Sequence, residues 1–181
     1  MPVLQTQRLT LRQFELEDVD ALATILSDAE TMRYYPAPFD RAGVADWIQR
    51  NRTRYANDGY GLWAMILKST CELIGDCGLV RQSVDGVDEI EIGYHVRRDL
   101  WGQGYATEAA CACRDHGFAT LEVDRLISLI RPENLASRRV AEKNGMTIWK
   151  EVMRANLLHY VYAIRRDQAC GAGAPARAGS D

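Results

Sequence analysis

The chain has little excess of charge of either sign: 22 Lys and Arg stand against 25 Asp and Glu, for a formal net charge of −3. A protein that neutralises nucleic-acid phosphates needs a basic face, so a nucleic-acid partner is not expected. No segment approaches the roughly 20 consecutive apolar residues of a membrane span. The first twelve residues alternate charges with leucines and contain no apolar run of signal-peptide length. These absences predict a cytoplasmic protein with no membrane partner. The five cysteines, Cys71, Cys77, Cys111, Cys113 and Cys170, are odd in number, irregularly spaced and free of any C-x-x-C pair. That argues against a zinc site or a thioredoxin-like pair and for no bound metal, leaving the thiols as small, buried or half-buried apolar groups.

What is present is enough for a core: 47% of the 181 residues are hydrophobic and 26% are charged, an ordinary globular balance for one domain. Residues 1–168 are expected to form that domain and residues 169–181, small, polar and rich in Gly and Pro, a disordered tail. Arg8–Arg12 alternates polar and apolar as a strand does. Val19, Leu22, Ile25 and Leu26 recur at helical spacing, and a second helix is predicted from Asp40, as N-cap, to about Ala56. Between them Tyr34-Tyr35-Pro36-Ala37-Pro38 cannot continue a helix. Strands follow at 62–67, 73–80 and 89–96, with a turn over 84–88. In the last, Ile90, Ile92, Tyr94 and Val96 fall on one face, and Glu91, Gly93 and His95 on the other. A helix over about 105–121, a strand over 125–131, a helix over 134–144 capped by Gly145, and strands over 147–152 and 159–165 complete the order. The fold class is α/β (α+β): a mixed, largely antiparallel sheet of six or seven strands flanked by helices.

One junction carries chemistry. In YHVRRDLWGQGYATEAA, Tyr94 to Ala110, a strand ends, a loop with Gly102 and Gly104 follows, and a helix begins. Glycines let the backbone turn sharply and approach a ligand, and a helix start offers unpaired N–H groups and partial positive charge. Together they form an anion cradle that suits a pyrophosphate. The loop lacks the G-K-[ST] ending of a nucleoside-triphosphate loop, and Thr107 breaks the G-x-G-x-x-G of a dinucleotide fold. Taken alone, the pair of glycines reads first as a turn that merely caps a helix.

Three ordered segments add to it. Glu91-Ile92-Gly93-Tyr94 with Trp101-Gly102-Gln103-Gly104-Tyr105-Ala106-Thr107-Glu108-Ala109, then Asn134-Leu135-Ala136-Ser137 through Gly145-Met146, and the opening Gln7–Arg12, resemble the GCN5-related N-acetyltransferase (GNAT) superfamily, in the branch of ribosomal-protein N-terminal (RimJ/RimL-like) acetyltransferases. The resemblance runs from about Thr6 to Arg166. Trp101 stands where the superfamily has Gln or Arg, and Met146 where an aromatic is commoner.

The resemblance implies acetyl-CoA as cosubstrate, with its pantetheine arm lying in a gap between two splayed central parallel strands, here 89–96 and 125–131. His95 and Val96 would pair with the arm through main-chain groups. Trp101, Gly102, Gln103, Gly104, Tyr105, Ala106 and Thr107 would hold the pyrophosphate, and Asn134 would cap its helix and meet the arm. Transfer would be direct, from the thioester to a neutral amine. Glu91 is the first candidate for the base, through water, and Glu89 the second. Ser137 is the candidate donor to the departing sulfur, with a purely local backbone bond as the alternative. Tyr34, Tyr35 and Trp47 would help shape the acceptor pocket, with core or lid packing as the equal alternative. The acceptor is an amine, a protein N-terminus or a small molecule; a non-catalytic acyl-CoA-binding module is the reading from another class. Symmetry statistics suggest a homodimer.

Overall fold

The computed structural model describes residues 2–171. Its strands are β1 (Pro2–Gln5), β2 (Leu9–Arg12), β3 (Leu62–Leu67), β4 (Leu73–Val84), β5 (Val87–Val96), β6 (Arg125–Ile130), β7 (Thr147–Arg154) and β8 (Leu157–Arg165). The helices are α1 (Val19–Leu26), α2 (Arg41–Asn57), α3 (Tyr105–Thr120), α4 (Leu135–Lys143) and α5 (Arg166–Gly171). All eight strands form one sheet in the order β1-β2-β3-β4-β5-β6-β8-β7. Every neighbouring pair is antiparallel except β5 and β6.

The mixed sheet matches the expectation, with one strand more than six or seven. The extra one is β1, whose residues are exposed or half-buried and so carry no clean apolar alternation. The expected tail at 169–181 overlaps α5 up to Gly171; the rest of it lies outside the described residues. The turn is also tighter than 84–88. Asp85 and Gly86 both have positive φ, 51° and 80°, and close a two-residue hairpin in which Val84 pairs with Val87. An Asp-Gly pair suits that turn because its twist matches the strands, so pairing continues to the tip.

The alternation along β5 sorts the core into two layers. Ile90, Ile92 and Val96 face a cluster that includes Ala109, Ala110 and Cys113 of α3. On the opposite face α1 and α2 bury Leu22, Ile25, Val44 and Ile48 against Leu62, Ala64 and Val80. Asn51 docks α2 on that face: wholly buried, it accepts a hydrogen bond from the Leu62 N–H (2.9 Å) and donates to the Trp47 carbonyl (3.0 Å). Both polar ends of the amide are thus satisfied inside the core.

β3 and β4 approach so closely that a Cβ at Gly78 would sit 2.0 Å from the Gly61 carbonyl oxygen and 2.8 Å from the Leu62 Cα. Neither backbone atom can swing aside, so Gly78→Ala is expected to destabilise the fold by about 1–3 kcal/mol. Urea denaturation checks this; an unchanged midpoint would contradict the close approach.

Candidate active site

The loop before α3 is shaped by two left-handed glycines, Gly102 (φ 75°) and Gly104 (φ 84°). A side chain is strained at either position, and nothing lies within 4 Å of a Cβ placed on Gly102. Gly104 is the N-cap of α3 and supplies no side-chain cap, while its carbonyl accepts the Glu108 N–H (3.0 Å). The first N–H groups of the helix, at Tyr105, Ala106 and Thr107, therefore point outward beside the exposed segment Trp101–Gly104. A pyrophosphate fits this arrangement, because donors and helix dipole converge there and the side chain nearest Gly104, Arg8, is itself cationic.

The junction is tied down by residues from the start of the chain. Glu108 accepts from the Thr6 hydroxyl (2.6 Å), the Arg8 main-chain N–H (2.8 Å) and Arg8 Nε (2.6 Å). Burial raises the Glu108 carboxyl, but these bonds and the Arg8 charge outweigh it and hold it below its usual range. Arg8 Nη1 also donates to the Gln103 carbonyl (2.9 Å), and its guanidinium lies 4.3 Å over the Tyr105 ring. Two of the three sequence segments thus meet in space.

β5 and β6 pair at a single position, Glu91 with Ile127, although both strands continue beyond it. Side chains satisfy the backbone where the ladder stops. Glu91 accepts the Leu129 N–H (3.2 Å), and the Ser128 hydroxyl donates to the Ile92 carbonyl (2.8 Å). The other Glu91 oxygen accepts from Gln82 Nε2 (2.7 Å). Burial raises the Glu91 carboxyl above its usual value, against the pull of these two bonds and the nearby Arg154 and His95. Glu89 is further from the loop and bound by the Arg125 guanidinium.

The Ile92 carbonyl faces β6, whereas the Arg97 N–H bonds the Ile74 carbonyl on the β4 side (2.8 Å). Period-two alternation then turns the main-chain groups of Tyr94 and Val96 to the gap and those of His95 to β4. The main-chain groups of His95, expected to face the gap, face β4 instead. The Trp101 indole takes the Val96 carbonyl (2.7 Å), leaving the Val96 N–H for a ligand. Across the mouth, Asn134 caps α4 by accepting the Ser137 N–H (3.1 Å), and the Tyr94 hydroxyl donates to the Ser137 carbonyl (2.9 Å). Both main-chain groups of Ser137 are thus engaged.

The other face of β5 holds a chain of side chains. His95 Nδ1 lies 2.7 Å from Asp76 Oδ1, and Asp76 Oδ2 accepts from Trp47 Nε1 (2.9 Å). His95 Nε2 lies 2.8 Å from the Tyr35 hydroxyl. Asp76 is wholly buried and the His95 side chain 10% exposed. Burial pushes the imidazole down, but the Asp76 charge and hydrogen bond, with Glu91, outweigh it and set the net shift upward. The Tyr35 ring is exposed while its hydroxyl turns inward, where burial and the Glu91 and Asp76 charges raise its pKa. Next to it the Tyr34 hydroxyl donates to the Glu133 carbonyl (3.0 Å), so the segment between α1 and α2 is strapped to both sides of the site. Tyr35 and Trp47 are thus brought together around His95, while the Tyr34 side chain turns to Glu133. Asp76 is the residue that sequence reasoning missed; a lone acid within the apolar run Leu73–Val80 was the available signal.

The acetyltransferase (GNAT) domain family model matches residues 8–147. The chain is 39% identical over 160 residues to the uncharacterized protein YkkB of Bacillus subtilis, covering 88% of this chain and 93% of that one. It is 36% identical over 154 residues to the uncharacterized N-acetyltransferase p20 of Bacillus licheniformis, covering 83% and 84%. A GNAT-family acetyltransferase structure from Bacillus anthracis superposes with a TM-score of 0.77 at 29% identity, covering 91% of this chain and 98% of that one.

The site's electrostatics predict a measurable titration. By NMR, the His95 ring should titrate above an ordinary histidine in the native protein and clearly lower in Asp76→Asn, where burial is less opposed. Because the folded pKa is raised, the stability this pair contributes is full below about pH 6.5 and fades as pH rises through the folded value. Equal His95 pKa values in the two proteins would contradict the pairing.

Proposed function

Because the chain belongs to the acetyltransferase (GNAT) family, we propose that it moves an acetyl group from acetyl-CoA to a primary amine by direct attack in a ternary complex, with the α-amino group of a protein N-terminus as acceptor. The observation that carries this reading is the single β5–β6 bridge beside the uncapped start of α3. A pyrophosphate on the amides of Tyr105–Thr107 leaves an extended thiol-bearing arm free to enter the gap. There it can pair with the N–H groups of Tyr94 and Val96 as an added strand would. Such a donor, held in place before the reaction, also suits the charge that grows on the thioester oxygen.

The chemistry is short. A neutral amine attacks the thioester carbonyl and the sulfur leaves. An α-amino group, with a pKa of about 8, is far easier to obtain neutral than a lysine at about 10.4, which favours an N-terminus. The Ser137 hydroxyl is assigned as donor to the departing sulfur. Glu91, which accepts one bond at each oxygen from Leu129 and Gln82, is assigned the work of bracing β5 against β6. Asn134 keeps α4, and with it Ser137, at the mouth of the gap.

CoA release followed with a thiol reagent tests the reading against peptides with free or blocked N-termini, polyamines and aminoglycosides. Release with free-N-terminus peptides alone is expected. Turnover only on small amines would overturn the acceptor, and CoA binding without turnover on any amine would overturn the enzyme reading. Gly104→Val, which strains the loop and crowds the cradle, should raise the KM for acetyl-CoA by roughly tenfold or more, about 1.4 kcal/mol of binding. An unchanged KM would place the pyrophosphate elsewhere.

A further inference from the structure

Between the strap and the sheet lies a continuous chain of hydrogen-bonded groups: Trp47, Asp76, His95 and Tyr35. Its polarity can be derived. The Trp47 indole is only a donor, so Asp76 Oδ2 accepts, and the carboxylate has no proton to give His95. Nδ1 must therefore carry the hydrogen and donate to Asp76 Oδ1. In the neutral ring that leaves Nε2 with a free lone pair, and the Tyr35 hydroxyl is the donor that reaches it. A wholly buried carboxylate is costly unless paired and hydrogen-bonded, and His95 and Trp47 engage both oxygens of Asp76.

Gly93 lies between Glu91 and His95 on the same face of β5, and a Cβ there would meet only Leu62 Cδ2, at 3.2 Å. The absent side chain lets Leu62 pack directly over β5 at that point. Glu91 already accepts from Leu129 and Gln82, whereas His95 Nε2 faces a hydroxyl that can hand it a proton.

We infer that Tyr35 and His95 form the proton-accepting relay of the transfer, with Asp76 as the positioning residue that fixes the tautomer and balances the imidazolium. The inference rests on the acetyl-transfer reading above. As the amine nitrogen bonds to the thioester carbon, its proton passes to Tyr35 Oη while the Tyr35 proton passes to His95 Nε2. The C–S bond then breaks with its electron pair on sulfur. The imidazolium returns its proton through Tyr35 to solvent, and the thiolate regains one, so amide and thiol are the net products. The active form is the neutral ring, so kcat falls as pH drops through the His95 pKa. The titratable and charged groups around that ring are Asp76 from β4, Glu91 from β5, Tyr35 from the strap and, from α2, Tyr55 near Asp76 and Arg50 over Trp47.

The test is the pH profile of kcat for the native enzyme, His95→Gln and Tyr35→Phe, with acetyl-CoA and a free-N-terminus peptide, beside CoA binding by calorimetry. General-base catalysis is worth roughly 10²–10⁴-fold, so His95→Gln should lose at least about 100-fold in kcat together with the acidic limb. Tyr35→Phe should lose kcat and keep that limb. CoA affinity should be unchanged in both. A native limb in His95→Gln, or CoA affinity lost in step with kcat, overturns the relay. If His95→Gln does not fold, native kcat in Tyr35→Phe, whose ring lies on the exposed strap, overturns it as well. A native protein that turns over no amine sinks the acetyl-transfer reading and the relay with it, whereas an active native enzyme matched by His95→Gln sinks the relay alone.

Discussion

The arrangement depends on an interruption: two parallel strands in the middle of an otherwise continuous sheet that hydrogen-bond at one position and then part. A buried backbone donor or acceptor left unpaired costs free energy comparable to a lost hydrogen bond, so a gap inside a sheet does not persist unaided. Here Glu91 takes the Leu129 amide and Ser128 supplies the Ile92 carbonyl, and the strands are held open at their root. Beyond that root the groups of β5 that face the gap are available to a ligand able to act as a strand.

The same interruption organises both faces of β5. On one face Tyr94 reaches α4 through the Ser137 carbonyl and fixes the far lip of the gap. On the other, His95 meets Asp76 and the strap between α1 and α2. Because successive side chains of a strand point oppositely, the residue that reaches α4 lies next to one that reaches the strap. A transfer reaction between two bound molecules needs that proximity, since holding both reactants in line removes much of the entropic barrier.

Much of this was legible from residue patterns of short range. The glycines of the loop, Asn134 and Gly145 as the two caps of α4, and the alternation along β5 are local signals, and each stands where the pattern placed it. The relay was not legible. Asp76 and His95 face each other only through the β4–β5 register, and Tyr35 arrives from a loop with no period to read. Glu91 was placed on the correct face, but its bond to the Leu129 amide depends on how far β5 and β6 diverge, which is a property of the packed sheet. Strand β1 escaped notice because its four residues bury too little apolar surface to leave a pattern.

Amide hydrogen exchange with and without CoA tests most directly whether the parted strands and the helix start form one binding surface. Protection should appear together at Tyr94, Val96 and Tyr105–Thr107 when CoA binds. Exchange at those amides unchanged by saturating CoA would contradict the account.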